Sequence, residues 1–88
     1  FGGEEFVVFA PGLEADGALR YFEALRERIA ALLIELSDGT VIQATASIGV
    51  CTSGNPALNI HALLNESDRM LYTAKAAGRN RVTRVDLP

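Results

Sequence analysis

The spacing of apolar residues changes several times along this chain, and that alternation is the feature that most constrains its fold. The apolar run within residues 5–10 is typical of a buried strand. Between residues 14 and 36, leucine, isoleucine and phenylalanine recur every three or four positions, as in an amphipathic helix. They are followed by strand-like alternation over residues 41–51, a second helical stretch over 59–77 and a final alternation over 81–87. The pattern predicts β-α-β-α-β, part of an α/β sandwich with helices on one face of a sheet.

Residues that favour turns and caps mark the ends of these elements. Pro11-Gly12 closes the first strand, and residues 37–40 (Ser-Asp-Gly-Thr) break the first helix. Asn59 is a good N-cap for the second helix, and Gly78 stands where a left-handed C′ residue would end it. Gly49 lies inside a strand, which indicates that another part of the chain approaches closely there.

Length and composition indicate one small globular domain. Of the 88 residues, 49% are apolar and 22% charged, and the net charge of -3 argues against binding to a nucleic-acid polymer. No apolar stretch has the length of a membrane span and no signal peptide is evident, so we expect a cytoplasmic segment without membrane contact. Cys51 lies in an apolar run, which favours a buried thiol over a nucleophile. Because the first residue is Phe rather than Met, we interpret the chain as a piece of a longer polypeptide.

The first candidate site is the turn Gly2-Gly3-Glu4-Glu5 ahead of the first strand. Glycine allows a sharp turn and the close approach of a ligand to the backbone. Adjacent carboxylates supply the hard oxygen ligands that Mg²⁺ takes alongside phosphate oxygens. Glu4, still in the turn, is freer to reach a metal than Glu5. Position alone leaves open a second interpretation, an exposed acidic turn.

The second candidate site lies around the end of the second helix. Lys75 is in its last turn and Arg79 follows four residues later, a spacing that would let the two cations hold a triphosphate tail. A favourable interaction of Lys75 with the helix dipole explains that residue equally well. Arg81 and Arg84 extend the cationic cluster, as a phosphate-binding patch or as a solvated strand end. The arginines of the first helix, including Arg26, are interpreted as solvated surface.

Three segments together resemble the GGDEF family, the diguanylate cyclases. Gly2-Gly3-Glu4-Glu5-Phe6 is the GGEEF form of its signature motif, and residues 46–50 (ASIGV) are similar to its TVSIGVA strand. Residues 67–75 (SDRMLYTAK) and 78–82 (GRNRV) are similar to its ADxALYxAK…GRNxV ending. One such motif is weak evidence. Three motifs in the family's order, which together cover essentially the whole chain, make a chance match very unlikely.

The resemblance implies a nucleotidyl-cyclase-like α+β sandwich, a βααββαβ sheet with helices packed on it. Residues 1–88 would be the C-terminal portion of a single GGDEF domain. Diguanylate cyclases condense two GTP molecules into cyclic di-GMP for bacterial second-messenger signalling and release two pyrophosphates. They use Mg²⁺ or Mn²⁺, and two domains meet as a dimer, each with one GTP. The resemblance thus implies GTP and a second GGDEF domain as partners.

Site residues follow by matching motifs. Glu4 matches the family's metal-binding acid, and Glu5 matches the second acid needed for activity, so both are implied to be catalytic and metal-binding. Gly2 and Gly3 match the turn against which the nucleotide lies.

The ending motif adds the cations. Lys75 and Arg79 match the basic residues that contact the terminal phosphates of GTP. We interpret Asn80 as a brace for the backbone after the helix.

A complete domain of this family is nearly twice as long as this chain. Its first half carries the metal-binding Asp, an FKxxND-like segment that reads guanine and phosphate, and the inhibitory RxxD motif. The isolated 88-residue chain is therefore expected to be nearly inactive and to self-associate through unpaired strand edges. The alternative is a non-catalytic GGDEF domain that acts as a GTP-binding or dimerisation module.

Overall fold

A computed structural model describes residues 5–88 of the chain. Its elements, in chain order, are α1 (Ala15–Ala31), β1 (Ile34–Glu35), β2 (Val41–Ile42), β3 (Ile48–Ser53), α2 (Ile60–Ala76) and β4 (Val82–Leu87). The mixed α/β class is confirmed: two helices accompany two small sheets, β1-β2 and β3-β4.

The centre of the structure is the unit β3-α2-β4. The two strands are parallel and in register from Ile48 opposite Val82 to Ser53 opposite Leu87, with α2 as the crossover between them. The close approach predicted at Gly49 is confirmed. A Cβ added there would overlap the backbone of Ser67 and Leu71 in α2.

The two helices cover opposite faces of the β3-β4 sheet. Gly49 faces α2, whereas Val50, the next residue, points to the other face because strand side chains alternate. Arg84, opposite Val50 in the register, reaches α1, where its Nη1 donates to the backbone oxygen of Ala15 at 3.1 Å. The prediction of helices on one face is therefore wrong, because Arg84 on one face contacts α1 while Gly49 on the other face lies against α2. The buried core takes Ala18 from α1, Val50 from β3, and Met70 and Ala74 from α2.

Helix α2 begins and ends where the sequence predicts. The Asn59 side chain accepts a hydrogen bond from the Ala62 N–H at 2.9 Å, which satisfies one of the free amides of the first turn. Gly78 follows the helix with φ +122°. Strand β4 likewise falls within the predicted 81–87 range. Neither described helix is long and apolar enough to cross a membrane.

The strand predicted over residues 5–10 does not form. No strand among residues 5–88 lies beside this segment, and Phe6 is 84% exposed. A strand depends on backbone hydrogen bonds to a neighbour as well as on an apolar pattern. The pattern alone therefore does not produce the element.

The predicted first helix is too long, and the predicted strand over 41–51 is divided. Helix α1 ends at Ala31 because residues 34–35 pair with 41–42 as an antiparallel hairpin. The turn between them has Gly39 at φ +87°, and the Asp38 carboxylate accepts from the Thr40 N–H at 2.9 Å. Cross-strand pairing thus replaces the last turn of the helix. Residues 43–47 are irregular and separate β2 from β3.

Candidate functional site

The tertiary structure brings the acidic segment and the end of α2 together. Lys75 Nζ lies 2.8 Å from Glu5 Oε2, although the two residues are 70 positions apart. The Lys75 side chain is 33% exposed and the Glu5 side chain 49% exposed, so both are open to a ligand. Their contact brings Glu5 of the first candidate site to Lys75 of the second.

A cavity of about 140 Å³ adjoins this ion pair. It is lined by Glu5 and by four residues of α2, namely Asp68, Leu71, Tyr72 and Lys75. Spacings of three, four and seven residues put these four on one helix face. The cavity therefore combines an ammonium group, two carboxylates and a phenol ring. Asp68 was not predicted as a site residue, and its seven-residue spacing from Lys75 is the signal that could have found it.

Arg79 lies on the turn that follows α2. Its N–H donates to the Ala74 carbonyl oxygen at 3.0 Å, which ties the turn to the helix end. Arg79 has φ +64°, between Gly78 at +122° and Asn80 at +48°. Arg79 is exposed, and among residues 5–88 its guanidinium takes part in no ion pair.

The cationic cluster at the C-terminal end is divided. Arg84 lies 3.3 Å from Asp86 and 3.4 Å from Asp16, with its guanidinium against α1. Arg81 Nε donates to the Arg79 carbonyl oxygen at 3.1 Å. Arg84 is thus structural, and the phosphate-binding interpretation is left with Lys75 and Arg79.

One arginine of α1 departs from its predicted role. The Arg26 side chain is only 20% exposed, and its Nε lies 2.8 Å from Glu23 Oε1. Its Nη1 donates to Asn80 Oδ1 at 2.9 Å. The interpretation of Arg26 as solvated surface is wrong, because the contact partner is 54 residues away and leaves no local signal.

The structure describes only part of the predicted metal-binding site. Gly2, Gly3 and Glu4 lie outside the described residues. Over residues 5–88, no three Asp, Glu, His or Cys side chains form a group that could hold a metal ion. Mg²⁺ at a phosphate site needs only one or two protein carboxylates, since phosphate oxygens and waters complete its octahedron. Glu5 and Asp68 supply carboxylates of that kind beside the cationic group, so the described donor set fits a metal that arrives with a phosphate.

Two other features of the described residues, a cysteine and a second cavity, are weaker candidates for a functional site. Burial raises the pKa of the Cys51 thiol, with Glu66 and Asp86 adding to the shift, as expected for an unreactive cysteine. A larger cavity, of about 500 Å³, lies at the carboxyl ends of β3 and β4 and is lined by nine residues that include Glu14 and Asp86 but no cation. This cavity offers a triphosphate no cationic side chain among its lining residues, so the cavity beside Lys75 is the better candidate.

Comparison with known proteins finds one matching family model and several relatives. The family model described as "Diguanylate cyclase, GGDEF domain" matches residues 1–81. The chain is 37% identical over 83 residues to "Response regulator PleD" of Caulobacter vibrioides, covering 93% of this chain and 18% of that protein. It is 35% identical over 83 residues to "Diguanylate cyclase A" of Treponema denticola, covering 94% and 22% respectively. For "Diguanylate cyclase DgcP" of Pseudomonas aeruginosa the identity is 39% over 83 residues, covering 93% and 12%. The chain thus spans between 12% and 22% of the length of these three curated relatives.

Proposed function

The chain belongs to the diguanylate cyclase, GGDEF domain family, and from this we propose that it is the C-terminal portion of a domain that makes cyclic di-GMP. The reaction condenses two GTP molecules and releases two pyrophosphates. One observation carries the proposal: the acid at the end of the GGEEF turn, Glu5, lies 2.8 Å from the lysine of the ending motif, Lys75. Two motifs at opposite ends of the chain therefore share one cavity.

Lys75 and Arg79 are the proposed contacts to the terminal phosphates of GTP. Lys75 projects from the last turn of α2, and Arg79 stands on the turn directly after it. An ammonium group is a compact point charge, whereas a guanidinium group can bind two phosphate oxygens at once. As the pyrophosphate leaves, these fixed positive charges would stabilise the negative charge that develops on it.

Glu5 would set the position of Lys75 before GTP binds. Its carboxylate holds the ammonium group at the cavity while half of the Glu5 side chain stays exposed. A phosphate that enters the cavity can then share the ammonium group, since Lys has three donors.

The proposed metal is Mg²⁺ or Mn²⁺, held by Glu4 and Glu5 together with the phosphates. When bound, it would supply charge stabilisation at the reacting phosphate and activate the attacking 3′-hydroxyl. Gly2 and Gly3 would let the nucleotide lie against the backbone, as in the family's signature turn.

A second GGDEF domain is the proposed partner, because each domain offers one GTP to the condensation. We place the domain in the cytoplasm, where GTP is available. The first half of the domain, which we propose lies outside these 88 residues, would add the remaining metal ligand and the guanine contacts.

The test is a GTP turnover assay on the full-length protein with Mg²⁺, with the products resolved by chromatography. We expect cyclic di-GMP and pyrophosphate from the native protein and none from Glu4→Ala. Lys75→Ala should lower kcat/KM by about 10²- to 10³-fold, as for the loss of one fixed charge at a reacting group. Arg69→Ala is the matched control, since Arg69 is a cation of the same helix that pairs with Glu66 outside the cavity.

The two candidate functions give different results. Native protein that binds GTP without forming product would favour the non-catalytic GTP-binding or dimerisation module. Native protein that neither binds nor turns over GTP would overturn both. The isolated 88-residue chain is assayed beside it, and product from that chain would contradict the proposal that half of the site lies elsewhere.

A further inference from the structure

The turn after α2 has an unusual backbone that local sequence does not explain. Gly78, Arg79 and Asn80 have φ values of +122°, +64° and +48° in succession. Glycine adopts positive φ freely and asparagine tolerates it, but arginine rarely does. Three consecutive residues of this kind persist only where surrounding contacts hold them.

Two residues from distant parts of the chain supply those contacts through Asn80. The Asn80 N–H donates to Ser47 Oγ at 3.2 Å, just before β3 begins. The Asn80 side-chain oxygen accepts from Arg26 Nη1, on α1, at 2.9 Å. We call Arg26, Ser47 and Asn80 the clasp. It joins α1, the start of β3 and the start of β4 at the residue next to Arg79.

Arg26 is itself held in place. Its Nε lies 2.8 Å from Glu23 Oε1, one turn earlier on α1, so the plane of the guanidinium group is fixed from both sides. The side chain is 20% exposed. A guanidinium group engaged in this way is not free to bind a ligand, and its role is to orient another residue.

We infer that Arg26 is a positioning residue that acts through Asn80 to hold Arg79 at the phosphate site. The inference rests on the proposed function, which assigns Arg79 to the terminal phosphates. The backbone of Arg79 is tied to Ala74 on one side by its own N–H and to the clasp on the other side through Asn80. Without Arg26, the turn is free to leave the left-handed region, and the Arg79 side chain then loses its direction.

Two measurements on the full-length protein test this inference. The first is amide hydrogen exchange at residues 79 and 80, which needs no GTP. In Arg26→Ala we expect both amides to exchange at least about tenfold faster, since the turn opens more often without the clasp. Arg28→Ala, an exposed arginine of the same helix, is the matched control and should leave the exchange unchanged.

The second measurement is a double-mutant cycle in the GTP assay. Arg26→Ala should raise KM for GTP by at least about tenfold, the effect of losing one charge-assisted hydrogen bond. In an Arg79→Ala background it should add nothing, because a positioning residue has no effect once its target is gone. Arg26→Lys keeps the charge and the aliphatic stem but loses the planar guanidinium group, so it should raise KM less than Arg26→Ala does. It replaces the alanine variant in the cycle if that variant fails to fold.

The outcomes separate the inference from the function on which it rests. Unchanged exchange at residues 79 and 80 in both Arg26 variants overturns the clasp. Effects of Arg26→Ala and Arg79→Ala that multiply show independent roles and also overturn it. Faster exchange with no change in KM shows that the clasp holds the turn but does not position Arg79 for phosphate, and this result also overturns the inference. Native protein without GTP binding overturns the proposed function, and the phosphate role of Arg79 with it.

Discussion

Replacement of Gly49 by alanine tests the packing at the centre of the fold. Gly49 lies in β3 where α2 crosses it, and an added Cβ would stand 2.8 Å from the Leu71 Cα and would overlap the Ser67 carbonyl oxygen and the Leu71 nitrogen. Ordinary van der Waals contact for such a pair is about 3.5–4.0 Å. The neighbours are helix backbone rather than flexible side chains, so α2 as a whole must move away from β3 by about 1 Å.

The size of the expected loss of stability follows from the contacts that this movement of α2 disturbs. Met70 and Ala74 of α2 are among the four buried apolar residues of the described chain, and both would separate from their neighbours. A gap of 0.5–1 Å forfeits roughly a quarter to a half of the dispersion energy of each contact. Overpacking of a well-packed core costs about 1–3 kcal/mol and occasionally more. We place Gly49→Ala at the upper end, near 3 kcal/mol, because the close atoms belong to helix backbone, which moves only if the whole of α2 moves with it.

The assay is urea unfolding of the purified protein, followed by circular dichroism. With an m-value of about 1–1.5 kcal/mol/M, a loss near 3 kcal/mol lowers the midpoint by roughly 2–3 M while m stays constant. Gly54→Ala is the matched control, because nothing lies within 4 Å of its added Cβ. The control should be neutral or slightly stabilising, since alanine restricts the unfolded chain. Midpoints for the two variants within about 0.3 M of each other would refute the reasoning.

Three further predictions concern local features. Asn59→Ala removes the N-cap of α2 and should lower the free energy of unfolding by about 1 kcal/mol, whereas Asn65→Ala, exposed within the same helix, should not lower it; equal urea midpoints would contradict this. Burial raises the pKa of the Cys51 thiol, so its reaction with a disulfide reagent near pH 8 should be slower in folded than in urea-unfolded protein, and equal rates would show an exposed thiolate. The hydrogen bond from the Thr40 N–H holds the pKa of the Asp38 carboxyl below 3.8, so its stabilisation of the hairpin is present above that pH and is lost as the pH falls through the lower, folded pKa. A carboxyl titration by NMR with a midpoint at or above 3.8 would exclude that hydrogen bond in solution.

Elements with strong local signals could be predicted from the sequence. Helix α2 was placed to within a residue at each end, because an N-cap asparagine, an apolar stripe and a C′ glycine each act over a few residues. The same holds for β4 and for the close approach at Gly49. In these stretches local propensity and tertiary structure agree.

Elements that depend on a distant partner could not be predicted in this way. The apolar pattern of residues 5–10 indicates a strand but supplies no neighbour for its backbone groups, and the described segment is exposed without pairing. The pattern over residues 32–36 fits a helix, yet these residues enter a hairpin because Gly39 turns the chain back on itself. The spacing of apolar residues is compatible with more than one kind of element. Backbone pairing with a neighbouring strand decides whether the segment becomes a strand.

By itself, then, the sequence determined the family, the mixed α/β class, the order of its motifs and the identity of the candidate cations. The tertiary structure alone decided that Glu5 meets Lys75 and that Arg26 holds Asn80, at separations of 70 and 54 residues. The physical reason is the range of the interactions. Caps and periodicity act within a turn or two of the chain, whereas an ion pair or a hydrogen bond between distant residues exists only after packing has brought its two atoms within about 3 Å.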